Sequence, residues 1–221
     1  MTAVDLNKIS NRAAWTSGEA TLDDQGLVNV DGDLEVRSNL TVAMGTVSGN
    51  VYAAKKGLTT LKNFPHTVMG FCNVSLNPLD SLEGCPTTVK GRLGLLGCGL
   101  TSLLHCGQGV SRLNASNNKL TNLKHLPSGL ADLSISHNPE LHDLSELTPV
   151  YILLLSYDKN TGLLPVLQAN NLRWDQPLDN PAPERFDVGK ILAPYLGKGR
   201  SAAIACAAEL AKAGFKGNAR W

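Results

Sequence analysis

The chain has 221 residues, 43% of them hydrophobic, and its 20 Lys and Arg against 19 Asp and Glu leave a formal net charge of +1. Such a balance argues against partners held by bulk electrostatics, such as nonspecifically bound DNA or an anionic membrane surface. No run of ~18 apolar residues offers a membrane-spanning helix, and Met1-Thr-Ala-Val-Asp5 has neither the basic start nor the apolar stretch of a secretory leader, so the cytoplasm is the expected compartment.

Residues 1–27 precede a repeating region. Their apolar residues at 4, 6, 9, 13 and 15 fit neither a helical nor a strand period. A repeat array exposes the core of its first unit unless something covers it. The segment is therefore expected to be an N-terminal cap with Trp15 as its plug; the alternative is a loosely ordered terminus.

From residue 28 to 174 one pattern recurs. Leu34, Val51, Cys72, Leu93, Leu113, Leu133 and Leu153 stand 17, 21, 21, 20, 20 and 20 residues apart. Two positions after each anchor stand Val36, Ala53, Val74, Leu95, Ala115, Ile135 and Leu155. Anchor and anchor-plus-two point to one face of a short strand, so both are expected in the core. Five positions on stand Asn39, Lys56, Asn77, Cys98, Asn118, Asn138 and Asp158. An Asn there can bond backbone through both ends of its amide, which predicts a stacked ladder weakening at Lys56 and Asp158. Leu58, Leu79, Leu100 and Leu120, then Leu61, Leu82, Leu103 and Leu123, form two further apolar columns. A valine precedes the early anchors, followed two residues later by Gly32, Gly49, Gly70 or Gly91, which predicts a turn with unusual backbone angles. Pro65, Pro86 and Pro127 disfavour helical returns between strands. The first unit is too short for a full return, the units at 131–150 and 151–169 are less regular, and 167–174 is expected to add one last strand.

Residues 175–186 carry three prolines and are expected to be a linker. Residues 187–221 are expected to form a helical C-terminal cap. Asp187 would start a first turn through Val188, Ile191 and Leu192, and Ser201 would cap a helix to Ala213 with Ile204, Ala208 and Leu210 turned to the last repeat.

A period in the twenties with L-x-L-x-x-N-x-L spacing is that of a leucine-rich repeat. The segment Leu123-Lys-His-Leu-Pro-Ser-Gly-Leu-Ala-Asp-Leu-Ser-Ile-Ser-His-Asn resembles the short leucine-rich repeat of secreted bacterial effectors. Copies such as Leu82-Glu-Gly-Cys-Pro-Thr-Thr-Val-Lys-Gly, and the C-terminal Gly197-Lys-Gly-Arg and 207–221, resemble repeat proteins encoded by tailed bacteriophages. The repeat resemblance covers residues 28–169. It implies an α/β, mostly β solenoid of about seven repeats, with short parallel strands on a concave face and extended or 3-10 returns. A phage origin would place the protein in the host cytoplasm or, alternatively, in the virion.

The outward residues of such strands would line up as a binding surface. They include Glu35, Arg37, Tyr52, Lys55, Asn73, Leu76, Leu96, Asn114, Asn117, Ser134, His137, Leu154 and Tyr157. An apolar centre at Leu76 and Leu96, flanked by Tyr52 and Tyr157 among polar groups, suits a protein partner better than a charged polymer. The alternative is a solvated sheet face.

Catalysis, cofactors and metals find no pattern. His66, His105, His125, His137 and His142 lack paired spacing, and no Cys-x-x-Cys or Cys-x-Asp occurs. Cys72, Cys85, Cys98, Cys106 and Cys206 are expected as buried thiols, although stacking would bring Cys85 and Cys106 close enough for a disulfide or metal pair to be an alternative. Lys198 and Arg200 precede a helix and could meet an anion, but the phosphate-loop spacing is absent. Residues 182–221 hold seven basic and three acidic side chains without interleaved aromatics, so nucleic acid is not the expected partner. The expected function is non-catalytic protein binding, with a structural component of a virion or other assembly as the alternative.

Overall fold

Each anchor lies in a strand, and the strands stack side by side in chain order; Leu34, Val51, Cys72 and Leu93 open theirs, whereas Arg112, Asp132 and Ile152 precede Leu113, Leu133 and Leu153. The computed structural model describes residues 12–15, 19–141, 152–156, 172–175, 193–195 and 198–212. The larger sheet has nine strands: β1 (Ala13–Trp15), β4 (Leu34–Val36), β6 (Val51–Tyr52), β8 (Cys72–Asn73), β10 (Leu93–Gly94), β12 (Arg112–Asn114), β13 (Asp132–Ser134), β14 (Ile152–Ser156) and β15 (Leu172–Asp175). All neighbours from β4 onward are parallel, and their register aligns anchor with anchor from Leu34 to Leu153, then Leu172. The strand expected at the end of the array is therefore present. It includes Asp175, which the linker boundary had to yield.

A second sheet runs along the other side of each early turn. It comprises β2 (Ala20–Leu22), β3 (Val28–Val30), β5 (Met44–Val47), β7 (Thr67–Val68), β9 (Thr88–Val89) and β11 (Gly109–Val110). The valine ahead of each early anchor is buried in these strands, joined in β3 and β5 by Val28 and Met44. Five turns thus supply a strand to both sheets, making a mostly β solenoid with one α-helix among the described residues, while β13 to β15 extend only the larger sheet.

Between the sheets lie the predicted columns. The anchors from Leu34 to Leu133, their plus-two partners and the leucines of the returns are all buried, joined by Phe64, Cys85, Cys106 and Leu126. In the short first turn Leu40 and Met44 fill the place of a full return. No helix interrupts the described returns. Each instead uses a side-chain oxygen of Thr60, Ser81, Ser102 or Asn122 to hold the amide two residues on, at 3.1, 3.2, 3.1 and 3.0 Å. A backbone turn follows, from the amides of Phe64, Cys85, Cys106 and Leu126 to the carbonyls three residues before. Asn63, Gly84, His105 and His125 take positive φ inside those turns, the conformation that glycine, Asn and His tolerate best.

The recurring glycine has a different cause from the one its position suggests. Among Gly32, Gly49, Gly70 and Gly91 only Gly32 has positive φ. A Cβ on Gly70 would lie 2.2 Å from Asn50 Oδ1 and 2.6 Å from the carbonyl oxygen of Gly49. Their amides donate down the stack, Gly49 to Gly32, Gly70 to Gly49 and Gly91 to Gly70, at 2.9, 2.8 and 2.9 Å. Close backbone stacking excludes a side chain here.

The Asn ladder is present. Asn118 Oδ1 accepts from the amides of Cys98 and Leu100, both at 3.0 Å, while its Nδ2 donates to the carbonyls of Leu95 and Ala115 at 2.8 and 2.9 Å. Asn77 repeats this towards Lys56, Leu58, Ala53 and Val74, and Asn138 accepts from Leu120. Cys98 keeps part of the role by donating its thiol to the Val74 carbonyl at 3.4 Å. Lys56 leaves the ladder, whereas Asn39 bonds forward to Thr59. Asp158 lies outside the described residues.

The N-terminal cap closes both sheets by pairing. Antiparallel β1 lies on β4 and antiparallel β2 on β3, and Ala13 is buried. Trp15 is paired with Leu34, but its side chain lies outside the described residues, as do residues 1–11. At the other end, a 3-10 turn (Ala193–Tyr195) precedes α1 (Gly199–Lys212), which starts two residues before Ser201. Among its described side chains Cys206 and Ala207 are buried, while Ile204 is 57% exposed and Ala208 is exposed too; the Leu210 side chain lies outside the described residues. Residues two apart on a helix are turned by ~200°, so a helix that buries 206 must turn 204 outward. The helix expected over 187–192 and the linker at 176–186 lie outside the described residues. Among the described residues no helix is long and apolar enough to cross a membrane.

Candidate functional site

The outward positions of the larger sheet come together as expected through the described turns, but their chemistry differs from row to row. Residues one after the anchor sit side by side: Glu35, Tyr52, Asn73, Gly94, Asn114 and Ser134 are paired in register. Asn73 and Asn114 turn back on their own strands, where each side-chain oxygen accepts from the amide two residues on at 3.1 Å. Ser134 is only 4% exposed, which removes it from a contact surface. A hydroxymethyl group flanked by parallel strands on both sides is too short to stand above its neighbours.

Four residues after the anchor the chain leaves the strand through a second row of positive φ. Lys55, Leu76, Gly97, Asn117 and His137 have φ of 57, 60, 64, 56 and 56°. The amides of Lys55, Leu76, Gly97 and Asn117 continue the inter-turn ladder, with Leu76 donating to the Leu96 carbonyl at 2.7 Å. Lys55, Leu76 and Asn117 are exposed, and His137 is partly buried. Leu76 is the misfit, because a left-handed backbone costs a side-chain-bearing residue about 1–2 kcal/mol and Leu has no polar group to offset it locally. Its side chain is nonetheless 41% exposed. Gly97 in the next turn makes room for it, since a Cβ there would stand 2.8 Å from Leu76 Cδ2. Leu96 is partly buried beside it.

Tyr52, 43% exposed, forms the rim of a shallow depression of about 390 Å³ lined also by Glu35, Ala54, Lys56 and Asn73. Phe71 meets the Tyr52 ring edge-on, 5.0 Å between centroids at 87°. Glu35 holds two cations, Lys56 Nζ at 2.9 Å and Arg37 at 3.1 Å. These bonds, Lys56 first, lower the Glu35 pKa and keep its carboxylate charged.

The column just before each anchor shares this face and is missing from the predicted set. It contains Asp33, Asn50, Phe71, Arg92, Arg112 and Asp132. Arg92 reaches across two turns to an ion pair with Asp132, and Asp33 Oδ1 accepts from the Asn50 amide at 2.6 Å. Strand alternation carried one step backwards from the anchor is the signal that finds this column.

Leu154 pairs with Ser134 and Arg173, but its side chain lies outside the described residues, as does Tyr157. Lys198 is exposed just ahead of α1, and the Arg200 side chain is outside the described residues. All five cysteines are free and buried, so Cys85 and Cys106 form no disulfide. Burial pushes the Cys85 thiol up to about 12 and raises Cys72 and Cys106 as well. No family model matches this chain, and no curated protein or solved structure matches it either.

Proposed function

We propose that the chain is a leucine-rich-repeat module that binds a protein partner through the outward face of its larger sheet. It acts without catalysis, and its repeats point to a phage protein directed at a host protein. The single observation that supports this is Leu76. An apolar side chain is held out to solvent on a left-handed backbone, where Asn or Gly would be cheaper, and the next turn makes space for it. Strain of this kind marks positions kept for a task other than folding, and apolar or aromatic anchors among polar groups characterise interfaces. A non-catalytic role is supported by the histidines and thiols: His105, His125 and His137 occupy positive-φ corners, and the cysteines are buried.

Leu76→Asn separates binding from folding. The variant is expected to melt at the same or a higher temperature while losing capture of prey from host lysate, identified by mass spectrometry. Prey recovered in equal yield would move the site off this face.

A further inference from the structure

The charges on this face are unevenly committed. Among the described side chains its three acids are all engaged: Glu35 with Lys56 and Arg37, Asp132 with Arg92, and Asp33 with Asn50. Of its cations, Lys55 and Arg112 are exposed and enter no ion pair among the described residues. Among the described side chains the face therefore holds five cations against three acids, a local excess of two positive charges on a chain whose net charge is +1. Position matters as much as number. Lys55, Leu76, Leu96 and Arg112 belong to four successive turns, so the two uncommitted cations bracket the two leucines.

We propose, building on the protein-binding reading above, that the occupant is an extended acidic segment of another protein, with apolar side chains between two carboxylates that meet Lys55 and Arg112. Three strand spacings separate the turns of Lys55 and Arg112, about 14 Å along the sheet, and their offset along the strands adds about 16 Å. The diagonal of about 20 Å is spanned by roughly six residues of extended chain. Apolar side chains between the acids would cover Leu76 and Leu96, and the exclusion of water there would strengthen the flanking charge pairs.

The probe is a displayed library of random twelve-residue peptides selected on the full-length chain, with affinities measured by fluorescence polarisation. Enriched peptides are expected to carry two Asp or Glu flanking aliphatic or aromatic residues. The double variant Lys55→Glu, Arg112→Glu, altered only at exposed sites, should bind them about tenfold more weakly. It should recover affinity for peptides whose acids are replaced by Lys. Binders that are neutral or basic, or that lose affinity in Leu76→Asn but not in the charge variant, would overturn the acidic occupant and leave the face as the binding site. No enrichment, or binders indifferent to both variants, would overturn both readings.

Discussion

At the scale of single residues, the fold depends on side chains that serve backbone groups of neighbouring turns. Asn118 has five backbone partners in the core, so Asn118→Ala leaves several buried polar groups unpaired. A loss of about 2–4 kcal/mol is expected in denaturant unfolding. Gly70→Ala should be comparably severe, about 3 kcal/mol, because the Gly49 backbone, and not only the Asn50 side chain, blocks its Cβ. Glu35 gives a pH signature. Its pKa lies below the ordinary 4.5, so its ion pairs contribute above that value and are lost as pH falls through the depressed one. Glu35→Gln is expected to flatten the dependence of the melting temperature on pH below about 4.5 and leave neutral pH little changed. A parallel acid limb in the two proteins would show that the pairs contribute nothing.

Elements divide into those written in side-chain type and those written in spacing alone. The larger sheet, its register, the Asn ladder and the extended returns are legible because Leu, Asn and Pro recur where the geometry requires them. The second sheet is not, since its strands are as short as Thr67–Val68, and β7, β9 and β11 each have only one buried residue. The positive-φ corners are hidden too: Lys, Leu, Gly, Asn and His share one row. On the candidate face, Tyr52 and Leu76 are legible as outward residues. Ser134 is misread because burial there depends on neighbouring strands, and Phe71 and Arg112 are missed because a frame opened at the anchor omits the preceding column. The sequence predicts a cap plugged by Trp15, whereas the described part of the cap closes sheet edges by antiparallel pairing. Removing residues 1–22 would uncover both edges at once and is expected to yield soluble aggregates by light scattering, since unpaired edges recruit other strands. The thiols report on the returns: with Cys85 near 12, none of the repeat cysteines should react with a thiol reagent at pH 8 until the chain is unfolded.

For the whole molecule, stability should scale with the number of turns rather than with any one contact. Excising residues 72–92 removes one complete unit and joins Phe71 to Leu93, another residue that opens a strand. The shortened chain is expected to fold with unchanged sheet content per residue and a lower melting temperature. Excising residues 72–82 throws every later column out of register, and circular dichroism should show loss of the fold.

The bonds that tie turn to turn join residues about twenty positions apart, as Asn118 to Cys98 and Gly70 to Gly49 do. Under a pulling force applied at the ends, that regularity loads the outermost turn first and shields those behind it, as in a coil drawn from its end. Each rupture would release about twenty residues, or about 70 Å of contour length. Single-molecule extension should therefore give evenly spaced steps across the five double-sheeted turns, and a single all-or-none rip would mean that the turns share their load.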